Sequence, residues 1–472
     1  MRASLAIHLA ILIPLAGCTA KLQSPDLGGL YDRAAQHRGG LRNPVIVIPG
    51  ILGSKLADAD TGQVVWGAFT GKYADPRTPD GARLFGLPMS EGKPLRALRD
   101  KLQPTGVLDR VEISLAGLPI ELNAYAHILG TLGAGGYRDE ELGKAKQVDY
   151  GGDHFTCFQF AYDWRRDLAE NAADLHEFIL ERRAYVEAET VKRFGVAKPD
   201  VRFDIVAHSM GGLLARYYLR YGAADLPDGP LPSLVTWAGH RYIDKAILVG
   251  TPNAGSVKAF MQLVNGVSFA PGFPKYEPAL VGTFPSVYQL LPRSRHGAVV
   301  DASSSHKPIG DLFDPELWVR SGWGLASPDQ DHVLRTLLPD VPDAEDRRRI
   351  ALDHQRKCLA RAAKLAAALD VPADPPDGLG LYIFAGDAIA TDAVVSVDSG
   401  GGGVSVIARR PGDGTVLRSS ALLDERVGQA WSPRLRSPIG WTQAMFLFRD
   451  HLGLTSDPAF SDNVLYLLLE AP

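Results

Sequence analysis

Cysteine is scarce in this chain: Cys18, Cys157 and Cys358 are the only three among 472 residues. That count excludes a disulfide-stapled scaffold. No Cys-x-x-Cys pair and no His-Glu-x-x-His segment occurs, so neither a metal centre nor a cofactor is expected. Net charge is slight, −4 from 50 Lys+Arg and 54 Asp+Glu, which gives no electrostatic case for nucleic acid. The basic clusters Arg347-Arg348-Arg349 and Arg356-Lys357 fall in a helical pattern and read as its solvated face. The glycine run from Ser399 to Gly403 lacks the Gly-Lys-Ser/Thr ending of a phosphate-cradling loop. Lying between two β-rich runs, 393–397 and 404–408, it reads as a hairpin turn.

What the chain does have is 46% hydrophobic residues, enough for a large core. Its length suits about three domains, or equally one domain with insertions. At the N-terminus, Met1-Arg2 precedes an apolar run, Leu5 to Leu15, too short to anchor as a membrane span. Leu15-Ala16-Gly17-Cys18 resembles the lipobox of bacterial lipoproteins. The expectation is a signal peptide at 1–17, cleavage before Cys18, lipidation of Cys18, and a tether over 18–43. An ordinary cleaved signal, with a secreted or periplasmic product, is the alternative. Thr19, where Asp would retain a lipoprotein at the inner membrane, favours the periplasmic side of the outer membrane. Cys157 and Cys358 could pair in an oxidising compartment, but their apolar settings suit buried free thiols.

From residue 44 strand and helix patterns alternate. Pro44 to Ile48 is a β-branched run of the kind buried on both faces of a parallel sheet. Residues 57–106 show too little periodicity for definite elements, and a helix is expected near 123–132. Strand 158–164, helix 167–194, strand 201–206, strand 244–250 and strand 379–386 follow, with a long helix near 344–369. Such order specifies parallel βαβ units with reactive groups at the C-terminal strand ends. Segments 55–150 and 255–378 are too long for loops and are expected to be insertions, the second a cap or lid. Its apolar side chains, among them Phe260, Met261, Leu263, Val264, Phe269 and Phe273, are expected to form an apolar shelter in that cap.

The strand at 201–206 ends in Ala207-His208-Ser209-Met210-Gly211-Gly212 and enters a helix. Strand, small-His-Ser-Met-Gly turn and helix together form a nucleophile elbow, the mark of an α/β-hydrolase fold. So tight a turn needs small residues on both sides of Ser209, which Ala207 and Gly211 provide. The order nucleophile, acid, base then leaves His451 as the base, because no other His follows the strand at 379–386. For the acid the residues leave two candidates: Asp387, directly after that strand, and Asp413, in Gly412-Asp413-Gly414. Oxyanion donors are expected from the backbone N–H of Met210 and of Ile51, the latter after Pro49-Gly50. His208 is read as structural, pointing back into the protein.

With these pieces the chain resembles the lecithin:cholesterol acyltransferase family of α/β-hydrolases in a bacterial lipoprotein form. The resemblance rests on Pro44 to Ser54, Tyr162-Asp163-Trp164-Arg165, the elbow, Gly250 to Ser256 and Gly412 to Val416, in the family's order. It implies that Asp413 is the acid, with Asp387 as runner-up, and that the hydrolase domain fills 44–472. It also implies acyl transfer from a lipid-like ester to water or an alcohol. Tyr162 to Arg165 is expected to do structural work at a strand end. A general carboxylesterase and a non-catalytic scaffold are the rival readings, and the sequence leaves oligomeric state open.

Overall fold

The computed structural model describes residues 24–37, 42–67, 74–108, 111–115, 118–122, 124–227, 229, 234–268, 274–398, 403–430 and 432–471. Cys18 and the expected signal peptide lie outside the described residues, as do Phe269, Phe273 and the tip of the 399–403 turn. Six parallel strands form the central sheet: β1 Val45–Ile48, β2 Cys157–Gln159, β3 Phe203–His208, β4 Ile243–Val249, β5 Gly380–Gly386 and β6 Gln443–Leu447. Their order is β6-β5-β4-β3-β1-β2. The chain therefore leaves β1 for one edge and returns to its other side at β3. This reversal opens a crevice at the C-terminal ends of β1 and β3, where such sheets place their ligands.

The β-branched run behaves as its composition requires. Ile46 and Ile48 enter the core on one face of the sheet, Val45 and Val47 the core on the other. The first face packs against α2 (Leu168–Phe194), α3 (Met210–Tyr221) and α5 (Ala344–Asp370). The second packs against α1 (Ala124–Ala134) and α6 (Pro458–Leu469). Asp167 caps α2 by accepting from the Ala169 N–H at 2.8 Å, and Gly195 closes it in the left-handed conformation.

Several elements differ from the expectations. The β2 ladder stops at Gln159, and 160–164 is irregular, because the chain there turns away to hold a loop instead of pairing. Residues 443–447 form the edge strand β6, whose alternation is too weak to read. The interval 57–106 holds a three-stranded antiparallel sheet (54–58, 64–66, 102–107) and a short helix, Pro79–Phe85. The described part of the tether is docked: Tyr31 is buried and donates its hydroxyl to Asp462 on α6. The hairpin is present, 389–397 paired antiparallel with 404–412. It shares a sheet with 299–301 and 307–308, so the second insertion and the hairpin form one layer.

On α4 (Val257–Asn265), Phe260 and Leu263 are fully buried, while Met261 and Val264 are half-buried. Phe260 packs edge-on against Trp318 and Trp323, with ring centroids 6.0 and 5.0 Å away. An amphipathic helix beside so many large rings gains more by joining their core than by facing solvent.

Arg165 is a charge confined to the interior. It is fully buried and pairs with Asp163 through two hydrogen bonds, at 3.0 and 2.8 Å. It also meets Asp100 at 2.7 Å and donates to the Phe85 carbonyl at 2.9 Å. Removing one partner of such a group strands the others in low dielectric. Arg165→Ala is expected to lower unfolding free energy by about 3–5 kcal/mol, measured by urea titration; a loss under about 1 kcal/mol would show the pair to be dispensable.

Candidate active site

The elbow is local geometry first. Ser209 adopts φ 54 and ψ −126, a conformation that costs an L-residue roughly 1–3 kcal/mol. Its N–H donates to the Val249 carbonyl at 2.8 Å, which holds the strained residue against β4. The elbow also sits directly on the end of β1. A Cβ at Gly211 would lie 2.4 Å from the Pro49 carbonyl oxygen, and one at Gly50 would lie 2.7 Å from Ser209 Cβ. Only glycine at these two positions permits that approach.

Two distant segments reach the serine. His451, in the loop after β6, sets Nε2 2.9 Å from Ser209 Oγ. Its Nδ1 lies 2.8 Å from Asp413 Oδ2. The backbone of the base loop is tied to the same acid, the His451 N–H donating to the Asp413 carbonyl at 2.9 Å. Asp413 is 1% exposed. Its other oxygen, Oδ1, accepts from the N–H groups of Thr415 and Val416 at 2.9 and 2.6 Å. Burial alone would push this carboxyl up, but His451 and the two N–H donors outweigh it and hold the group below the usual range.

The structure brings Asp413, and not Asp387, to the histidine. Asp387 faces Arg418 at 3.8 Å, and that guanidinium lies over the Phe446 ring, 3.9 Å from its centroid. Space for Asp413 at the end of β5 comes from Gly386, where a Cβ would lie 2.6 Å from Asp413 Cβ.

The N–H groups expected to serve as oxyanion donors belong to Met210 and Ile51. Met210 opens α3, so its N–H has no helical acceptor. Among the described residues neither it nor the Ile51 N–H donates to another group. The preceding N–H, of Gly50, is occupied: it donates to the Tyr125 hydroxyl at 2.7 Å. Tyr162, Asp163, Trp164 and Arg165 work beside this loop. The Tyr162 hydroxyl donates to the Pro49 carbonyl at 2.9 Å and Trp164 Nε1 to the Ser54 carbonyl at 3.2 Å. Tyr125, 83 residues before His208, is a site residue that the sequence reading missed, since no motif surrounds it.

Such a constellation can move the serine proton to an imidazole whose other nitrogen is fixed by a carboxylate. Cys157 and Cys358 are buried free thiols. Among the described residues no group of three or more His, Cys, Asp or Glu is arranged to hold a metal ion. None of the helices described is long and apolar enough to cross a membrane.

The parallel sheet, the elbow at its reversal point and the helices on both faces define an α/β-hydrolase. Within that class the family described as lecithin:cholesterol acyltransferase matches residues 147–315. Over that segment the chain is similar to the lecithin:cholesterol acyltransferase family. That match includes Ser209 but stops short of Asp413 and His451. Among solved structures, the Tle4-Tli4 complex is similar with a TM-score of 0.51 at 16% identity, covering 91% of this chain and 98% of that one. The mature-form lipase BlEst2 of Bacillus licheniformis follows at 0.32 and 12%, covering 92% and 94%. Lipase 1 of Pelosinus fermentans gives 0.33 and 12%, covering 91% and 99%. No curated protein matches the sequence.

The buried histidines give a pH test of this packing. His208 is 2% exposed, and burial, then the nearby His451, pushes it down to about 3. Burial pushes His354 down to about 4. Unfolded, each takes a proton near pH 6.5, so between these values the unfolded chain binds more protons and stability falls as pH falls. Asp204, pushed up to about 7 by burial, has the opposite sign. The difference between wild type and His208→Gln isolates one group. Its stability curve between pH 6 and 4 should be shallower by up to about 1.4 kcal/mol per pH unit. Equal slopes in urea titrations would show that His208 is protonated in the folded state.

Proposed function

We propose that the protein transfers acyl groups from lipid-like esters to water or an alcohol through an acyl-enzyme on Ser209. The family match supports lipid ester hydrolase or acyltransferase activity in the broad sense. The observation that carries the finer reading is the pair of contacts at His451, 2.9 Å to Ser209 Oγ and 2.8 Å to Asp413 Oδ2, across sequence separations of 242 and 38 residues.

In this reading the Ser209 hydroxyl proton moves to His451 Nε2 as Oγ attacks the ester carbonyl carbon. Asp413 accepts the Nδ1–H bond, fixes the tautomer and stabilises the imidazolium. The Ile51 and Met210 N–H groups donate to the oxyanion, each worth about 3–4 kcal/mol in comparable sites. Collapse breaks the ester C–O bond, and the His451 Nε2 proton passes to the departing oxygen. Water or an alcohol then gives its proton to His451 Nε2 and attacks the acyl carbon; the acyl C–Oγ bond breaks, and the Nε2 proton passes to Oγ, which restores Ser209. An apolar substrate is favoured by the loop carrying His451, which exposes Phe448 (79%) and Leu452 (40%) to solvent. The reading includes a diacyl anchor on Cys18 holding the enzyme on the periplasmic side of the outer membrane.

A fluorophosphonate probe should label the wild-type protein and not Ser209→Ala. Absence of labelling in wild type would favour the scaffold reading. Asp413→Asn should lower kcat by several orders of magnitude, about 10⁴-fold in a well-studied triad, while Asp387→Asn stays within about tenfold. The reverse ranking would move the acid to Asp387. Phospholipid hydrolysis followed by mass spectrometry, with and without added alcohol, distinguishes a lipid acyltransferase from a general carboxylesterase. Intact-mass measurement of the mature N-terminus checks the anchor; a Cys18 without acyl chains would remove it.

A further inference from the structure

One hydrogen-bonded chain passes beneath the site without touching the reacting atoms. The Gly50 N–H donates to the Tyr125 hydroxyl at 2.7 Å. The Tyr125 hydroxyl lies 3.3 Å from His208 Nδ1. On the other side of that ring, His208 Nε2 lies 3.0 Å from the His451 carbonyl oxygen. Tyr125 is 4% exposed and His208 2%. We propose that Tyr125 and His208 are positioning residues, joining the loop that carries the Ile51 donor to the loop that carries the His451 base. The proposal rests on the Ser209, His451 and Asp413 reading above.

A single protonation pattern satisfies every atom of the chain. Tyr125 accepts from Gly50 and donates its proton to His208 Nδ1, so that nitrogen must be bare. His208 then carries its proton on Nε2 and donates it to the His451 carbonyl. A neutral ring is what burial favours there, and its pKa is pushed down to about 3. Neutrality matters because the His208 and His451 ring centroids are only 4.8 Å apart. A cationic neighbour would oppose the imidazolium that the reaction creates.

Packing alone would not select these side chains. Phenylalanine fills the volume of Tyr125, and many apolar residues would fill that of His208. Only an imidazole offers an acceptor and a donor on opposite edges of one rigid ring. The outcome at His451 is that its backbone is held on both sides, its carbonyl by His208 and its N–H by the Asp413 carbonyl. The outcome at the other end is that the Gly50 N–H is taken up by the Tyr125 hydroxyl, which fixes the residue next to the expected donor Ile51. Since His208 directly precedes the strained Ser209, the elbow itself sets the direction of the ring.

The test uses the full chain with a short p-nitrophenyl ester and the fluorophosphonate probe. Tyr125→Phe and His208→Gln should each lower kcat roughly 10- to 100-fold, as small misplacements of a base do, with KM within about twofold. His208→Asn keeps the acceptor edge but cannot reach the His451 carbonyl, so it should lose more than His208→Gln, whose amide can. The double variant Tyr125→Phe/His208→Gln should be no slower than the slower single variant within about twofold, because both changes cut one chain. Losses that multiply in the double variant, that appear in KM, or that are absent from Tyr125→Phe overturn the proposal. If the His208 variants fail to fold by circular dichroism, Tyr125→Phe, which removes one oxygen, decides alone. Wild type that lacks Ser209-dependent labelling defeats the hydrolase reading and this one with it. Wild type that labels while the variants turn over at full rate defeats this one only.

Discussion

The strained backbone at Ser209 is the constraint from which the rest of the site follows. A residue at φ 54 and ψ −126 relaxes unless its neighbours prevent it. Here the Val249 carbonyl takes its N–H, and Gly50 and Gly211 let the turn lie against the end of β1. Two adjacent strands therefore clamp the turn that they also display. The same clamp fixes three things together: the direction of the hydroxyl, the unpaired Met210 N–H at the start of α3, and the inward ring of His208.

A second constraint acts on the loop after β1. A loop that must donate an N–H to a transient anion cannot be allowed to fold onto its own donors. Tyr162, Trp164 and Tyr125 take up the Pro49 carbonyl, the Ser54 carbonyl and the Gly50 N–H from outside. Arg165, neutralised by Asp163 and Asp100, anchors the motif that supplies two of those contacts. Isolated, such a buried ion pair is weak grounds for stability. Its value here is directional, since it fixes where the aromatic side chains point.

Much of this was legible in the sequence, and the reason is locality. The elbow needs only nine or ten consecutive residues to declare itself, and the Val45 to Ile48 run needs four to show burial on both faces. His451 followed from chain order, an elimination that needed no geometry. The acid was different: Asp387 and Asp413 both lie in turns after β5, and short-range patterns carry no information about which turn reaches across the sheet. The family resemblance selected Asp413, the residue that the structure sets 2.8 Å from the histidine. Strand β6 was missed because Gln443 to Leu447 forms an edge, where only one side is paired and burial leaves a weak imprint. Of the apolar side chains expected to form a shelter, Phe260 and Leu263 lie in the core while Met261 and Val264 are half-buried, a division that hydropathy does not reveal. Tyr125 was invisible for a plainer reason, as nothing in the residues around it differs from an ordinary amphipathic helix.

Placing Asp413 on a hairpin instead of at the end of β5 has a mechanical consequence. Its strands, 389–397 and 404–412, continue into a sheet completed by 299–301 and 307–308 of the second insertion. The acid is thus carried by a layer outside the central sheet, while the serine is carried by the central sheet itself. Gly386 is the joint, since the absence of a Cβ there lets the hairpin end lie against β5. His451 belongs to neither layer, and it is bonded to both: to Asp413 through its N–H and Nδ1, and to β3 through its carbonyl and His208. A base suspended between two layers keeps its 2.9 Å contact to the serine only while the layers hold their relative position. The insertion is for that reason part of the machinery that holds the imidazole, even though none of its side chains touches Ser209 through the bonds that define the site.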